Sequence, residues 1–127
     1  MTAQVEKIEH QPPKLEPYFY QFFQDVVRTM PKVDPDLLIR VMMFQVNLKK
    51  YPGPDIPHVN LYVHYKDGVD LHQKQEEGRD RYPFEVTTSR WGDGVIFSGL
   101  MSIGTVESVC SDPDIVKVTG EAKPTHN

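Results

Sequence analysis

Two short runs of β-branched and aromatic residues flank a glycine-rich turn in FEVTTSRWGDGVIFSGLMS, residues 84–102. Phe84–Ser89 and Val95–Leu100 favour extended backbone, because branched and aromatic side chains fit a pleated, half-buried surface. Gly92-Asp93-Gly94 supplies the permissive backbone that a hairpin turn needs. The residues that follow narrow the fold further. Ile103 to Cys110 sets Ile103, Val106, Val109 and Cys110 on one side of a short helix, and Pro113 forbids its continuation. IVKVTG, residues 115–120, then predicts a final strand. Hairpin, helix and strand in this order need a sheet with a helix laid on one face.

Upstream, Leu15, Phe19, Phe22, Phe23, Val26, Val27 and Met30 recur at helical spacing, with Pro17 in the first turn and Pro31 as the stop. Tyr18 and Tyr20 fall off this face. In VDPDLLIRVMMFQVNLKK two readings compete: Asp34-Pro35 is a helix-start signal, with Leu37, Leu38, Val41 and Met42 as the stripe of a second helix. Met42, Phe44, Val46 and Leu48 alternate with more polar neighbours, and that alternation predicts a strand over about 38–48. HVNLYVHY, residues 58–65, predicts a second strand with Val59, Leu61 and Val63 on one face, ended by Asp67-Gly68. VDLHQKQEEGRDRYP is dominated by charge and reads as a surface loop or one or two helical turns. The fold class is therefore α+β: an antiparallel sheet with helices packed on one face, ferredoxin-like in its C-terminal half. Residues 1–13 read as a flexible arm, and 14–127 as one domain ending in a tail at 121–127.

Composition limits function more than it defines it. The 127 residues are the size of one domain and carry a formal net charge of -4, with Lys and Arg scattered. That disfavours nucleic acid, which needs clustered cations. The single cysteine, Cys110, excludes an intramolecular disulfide. The N-terminus has no apolar core of a signal peptide, and no window approaches the ~20 apolar residues of a membrane span. The expected setting is cytoplasmic, with no cofactor and no metal.

RWGDGVIFSGLMSIGTVESVCSDPDIVKVTGEA resembles the C-terminal half of the subtilisin propeptide, or inhibitor I9, family. The similarity is carried by Gly92 and Gly94, the VIFSGLMS strand, Val106 and Val109, and the Asp112-Pro113-Asp114-Ile115-Val116-Lys117-Val118 turn and strand. Matching the family's first strand to LIRVMMFQV leaves a second strand and a charged loop where the family has a helix. Residues 1–36 have no counterpart. The resemblance implies a non-enzymatic protein-interaction domain that binds or inhibits a subtilisin-like serine protease in trans through its sheet and C-terminal tail. Asp93 matches the acidic group that caps helix N-termini on such a protease. Glu121, Ala122, Lys123, Pro124, Thr125, His126 and Asn127 match the segment that enters the cleft as an added strand. They are more polar than the family's tail, and Pro124 lacks a ladder donor.

Other constellations are weaker. His10, His58, His64, His72 and His126 show no zinc spacing. Asp70, Glu76, Glu77 and Asp80 read as a solvated face, and Cys110 as a small core residue. Ser98 lacks the nucleophile-elbow pattern. Trp91, beside Arg90 at the hairpin tip, is the strongest candidate for a protein-binding residue. An alternative reading is a small-ligand or catalytic α+β domain, with an apolar pocket between the N-terminal helix and the sheet lined by Phe23, Phe44 and Phe97. A third is a homo-oligomer formed through the sheet's exposed edge or face.

Overall fold

The computed structural model describes residues 15–48 and 56–124. The arm expected at 1–13 and the last three residues lie outside them. The chain order is α1 (Leu15–Thr29), α2 (Pro35–Leu48), β1 (His58–Tyr65), α3 (Leu71–Arg81), β2 (Glu85–Thr88), β3 (Gly94–Leu100), α4 (Ile103–Val109) and β4 (Ile115–Lys123). The four strands form one antiparallel sheet in the order β2-β3-β1-β4. From His58 onward the chain therefore reads β-α-β-β-α-β, with β1 and β3 at the centre.

Period-two patterning sets the two faces of the sheet. Val59, Leu61 and Val63 of β1 are wholly buried, as are Val95 of β3 and Val118 of β4. Val86, Phe97 and Ala122 complete this inner face, which packs with Leu37, Leu38, Val41, Val106 and Val109 from the helices. The α+β class and the single helix-bearing face match the sequence reading.

Two elements differ from it. Residues 38–48 are not a strand but the greater part of α2. The buried residues Leu37, Leu38, Val41 and Leu48 recur at helical spacing, while Met43 and Val46 stay exposed. Asp34 accepts the Asp36 and Leu38 N–H groups at the helix start, and Pro35 opens the helix where a missing N–H costs nothing. Leu, Arg, Met and Gln then sustain fourteen residues of helix against a four-residue alternation. Second, the charged segment is a full helix, α3. Asp70 caps it by accepting from the Gln73 N–H, and Arg79 and Arg81 occupy the last turn, where positive charge suits the helix dipole. Leu71 is the one apolar side chain it packs on the core, beside Lys74 and Gly78, so no apolar stripe advertised it. Gly78 is buried, and a Cβ there would stand 2.8 Å from the Phe97 ring, so a larger residue does not fit.

The first strand of this β-α-β-β-α-β run is thus His58–Tyr65, and its first helix is α3. Strand β4 also runs to Lys123, three residues beyond IVKVTG. Its outer edge at Val118 is joined to the 32–34 segment, which brings α2 alongside: Val118 donates to Lys32 and accepts from Asp34. Helix α1 rests against α2.

Candidate functional site

Burying Val59, Leu61 and Val63 on the inner face turns Asn60, Tyr62 and His64 outward. In register beside them lie Ser98 and Ile96 of β3 and Glu121 and Thr119 of β4. Asn60 links the three strands on this outer face: its amide nitrogen donates to Glu121 at 3.3 Å, and its oxygen accepts from the Ser98 hydroxyl. Ser98 therefore serves a lateral polar row.

A second cluster holds the tip of the β2–β3 hairpin. The Tyr62 hydroxyl donates to Asp93 and bonds Ser89 at 2.7 Å. Ser89, the buried polar residue at the root of the turn, also donates to Asp93 at 3.1 Å and accepts the Trp91 N–H at 3.2 Å. Gly92 closes the turn with φ +70°, a left-handed conformation suited to glycine. The Tyr62 bond holds the Asp93 carboxyl below the usual carboxylate range, helped by Ser89 and by the His64 charge. The same bond to Asp93 pushes the Tyr62 phenol above its ordinary value. His64 lies over Tyr62, with ring centroids 4.4 Å apart.

Trp91 is 72% exposed on this fixed turn, and the Arg90 guanidinium sits 5.3 Å from its ring centre. An exposed indole and a guanidinium on a braced backbone have the composition and preorganisation of a binding hot spot. Of the residues expected in the tail, Glu121, Ala122 and Lys123 belong to β4, opposite Asn60, Val59 and His58. Ala122 is buried and Glu121 and Lys123 are exposed. Pro124 follows the strand, exposed, and Thr125, His126 and Asn127 lie outside the described residues. The structure thus brings Glu121 onto the same outer face as Tyr62, with Trp91 and Asp93 on the hairpin at its end.

The helix side carries a different feature. A cleft of about 330 Å³ between α3 and α4 is lined by Tyr65, Lys74, Arg81, Tyr82, Phe97 and Ser108, among others. Lys74 bridges Asp112 at 2.8 Å and Asp114 at 3.0 Å, and its ammonium stands 5.5 Å from the Tyr65 ring centre. The Asp112 bond raises the Lys74 pKa above its ordinary value. Burial opposes ionisation of Asp112, but Lys74, the Asp114 N–H and Lys32 outweigh it and leave that carboxyl low. Burial raises the Tyr65 phenol and pushes the Cys110 thiol up to about 12, so the thiol is protonated at neutral pH and a poor nucleophile. Among the described residues, no three His, Cys, Asp or Glu side chains gather to hold a metal.

Phe23, Phe44 and Phe97 sit in different surroundings. Phe97 is a core residue against Tyr82 and Phe84; Phe44 packs at the core's margin; Phe23 lies on α1 beside Phe19. The Tyr62–Ser89–Asp93 brace escaped sequence reasoning, because its members lie 27 and 31 residues from Tyr62. So did the Lys74 bridge, which hides in what reads as a solvated charge run.

No family model matches the chain, nor does a curated protein or a solved structure. The fold therefore defines only a class: an α+β domain whose sheet, among the described residues, has helices on one face and none on the other. Among the described residues, no helix is long and apolar enough to cross a membrane.

Proposed function

We propose that the chain is a non-enzymatic protein-interaction domain that meets its partner through the open sheet face and the Arg90–Gly94 hairpin tip. The observation that carries this reading is Trp91, left 72% exposed on a turn braced by Ser89, Tyr62 and Asp93 at the end of that face. The β-α-β-β-α-β order with β1 and β3 central supports a ferredoxin-like unit. It also supports the resemblance of 90–122 to a subtilisin propeptide, with β1 in the role first given to 38–48. In its sharpest form the partner is a subtilisin-like serine protease acting in trans. The sheet then lies on two protease helices, and Asp93, which uses Oδ1 for both internal bonds, offers Oδ2 to a helix N-terminus. The segment from Pro124 onward follows the partner's cleft as an added strand. The chain acts in the cytoplasm on this reading, in keeping with its single free cysteine.

The test is inhibition of a purified subtilisin-like protease by the full chain, by Trp91→Ala and by a chain ending at Lys123. Inhibition weakened at least about thirtyfold by Trp91→Ala is the expected result. Equal inhibition by all three chains removes the mechanism, and no inhibition by any of them removes the protease. A second reading, a small-ligand domain, is favoured by the cleft between α3 and α4, whose walls include Tyr65, Lys74, Arg81 and Phe97.

A further inference from the structure

The cleft between α3 and α4 holds polar groups that are matched within the protein and two that are not. Lys74, Glu77, Gly78 and Arg81 line it from α3, at the spacing that sets residues on one face of a helix. Tyr65, Tyr82, Phe97 and Val109 supply its apolar surface. Phe97 and Val109 belong to the core, so this wall is fixed by the fold.

Most of the polar lining is engaged. The Lys74 ammonium holds Asp112 and Asp114. The Tyr82 and Ser108 hydroxyls bond each other at 2.8 Å, and Glu77 accepts from the Gln73 amide at 3.2 Å. Two groups have no such partner among the described residues. The Tyr65 hydroxyl, on a half-buried ring beside the Lys74 ammonium, forms no hydrogen bond, although a tyrosine that is buried usually finds one. The Arg81 guanidinium, with its five N–H donors, forms no ion pair. Glu77 stands four residues before it, the favourable order for such a pair, yet turns to Gln73.

These features define a ligand by size, shape and charge. The volume, about 330 Å³, lies at the lower end of the about 300–1,000 Å³ of small-molecule sites, room for one substituted ring. Aromatic walls suit a flat ring, and a guanidinium fork suits a carboxylate. Glu77 and Asp112 line the cleft together with Lys74 and Arg81. That balance accommodates one added negative charge and repels a chain of phosphates.

We propose that the cleft binds a small aromatic monocarboxylate, with its carboxylate on Arg81, its ring against Tyr82 and Phe97, and a second polar substituent at the Tyr65 hydroxyl. The proposal rests on the small-ligand reading of this cleft and is independent of the hairpin tip.

Titration of the isotope-labelled full chain with para-hydroxybenzoate, followed by NMR, tests it against the neutral para-hydroxybenzamide. The expected result is saturable shifts around Tyr65, Arg81 and Ser108, with a Kd of about 1 mM, the strength that a ligand of about ten heavy atoms reaches. Arg81→Gln weakens binding of the acid at least about tenfold and Tyr65→Phe about threefold, and the amide binds the wild type at least about tenfold more weakly. Arg81 is exposed at the end of α3 and Tyr65→Phe keeps the ring, and the spectrum of each variant confirms its fold. An amide that binds in the cleft as tightly as the acid, or an acid that either variant leaves untouched, overturns the proposal while leaving a ligand site in the cleft. Shifts from neither compound, or shifts only elsewhere, remove both the proposal and the small-ligand reading.

Discussion

Strand β1 and helix α1 both carry strict apolar periodicities, and the fold treats them differently. Val59, Leu61 and Val63 are completely buried, while Phe19 keeps half its surface and Phe22 more than a third. The difference lies in what each element has for neighbours. Strand β1 is central, paired with β3 and β4 along its length, and its inner face has helices over it. Helix α1 rests on α2 and reaches the core through Val26 and Met30, in its C-terminal half. An apolar pattern therefore identifies a face to be covered; it leaves open whether the chain itself supplies the cover.

The sharpest way to break this comparison is to truncate one side chain in each region. Leu61→Ala, at a fully buried site, is expected to lower unfolding free energy by roughly 3–4 kcal/mol in urea titration. Phe19→Ala in dilute solution is expected to cost under about 0.5 kcal/mol, as an exposed substitution does. Similar losses at both sites would mean that α1 is far more deeply seated than its exposure indicates.

A smaller effect probes the connection between α3 and the turn before β4. Lys74→Met removes the bridge to Asp112 and Asp114 and is expected to cost about 1–2 kcal/mol at neutral pH, the bridge being only partly screened. The Asp112 carboxyl is held low in the folded state, so its contribution is complete above the ordinary aspartate value of about 4 and is lost as pH falls through the folded value. Acid titration of wild-type stability should show that loss, and Lys74→Met should flatten it. Ser102→Ala, which deletes the hydroxyl accepting the Thr105 N–H at the start of α4, is expected to cost about 1 kcal/mol by the same urea assay.

The smallest change falls on the open face. Tyr62→Phe removes the bond that lowers the Asp93 pKa, so the carboxyl, followed by NMR across acid pH, should titrate closer to its ordinary value. An unchanged Asp93 titration would assign its low value to Ser89, its own backbone N–H and His64. The variant also loosens the Trp91 turn, which ties this measurement to the partner-binding reading.

Much of the strand-bearing half was legible because its signals are local. Alternation fixed the faces of β1, the Gly92-Asp93-Gly94 turn fixed the hairpin, and Pro113 ended α4. Residues 38–48 misled because Met42, Phe44, Val46 and Leu48 also satisfy a two-residue period. The outcome turned on Leu37, Leu38 and Val41, whose burial depends on β4 lying alongside. Helix α3 was hidden because a glycine, rather than an apolar side chain, makes its contact with Phe97.

Outside α2 and α3, local chemistry along the chain determined which residues bend, extend or coil, since turn glycines, prolines and side-chain periodicity act within a few residues of one another. The tertiary structure alone decided the strand order β2-β3-β1-β4, the joining of Tyr62 to Asp93 and of Lys74 to Asp112, and the overhang of α1. Each of these rests on contacts between residues far apart in sequence, which a one-dimensional pattern does not encode.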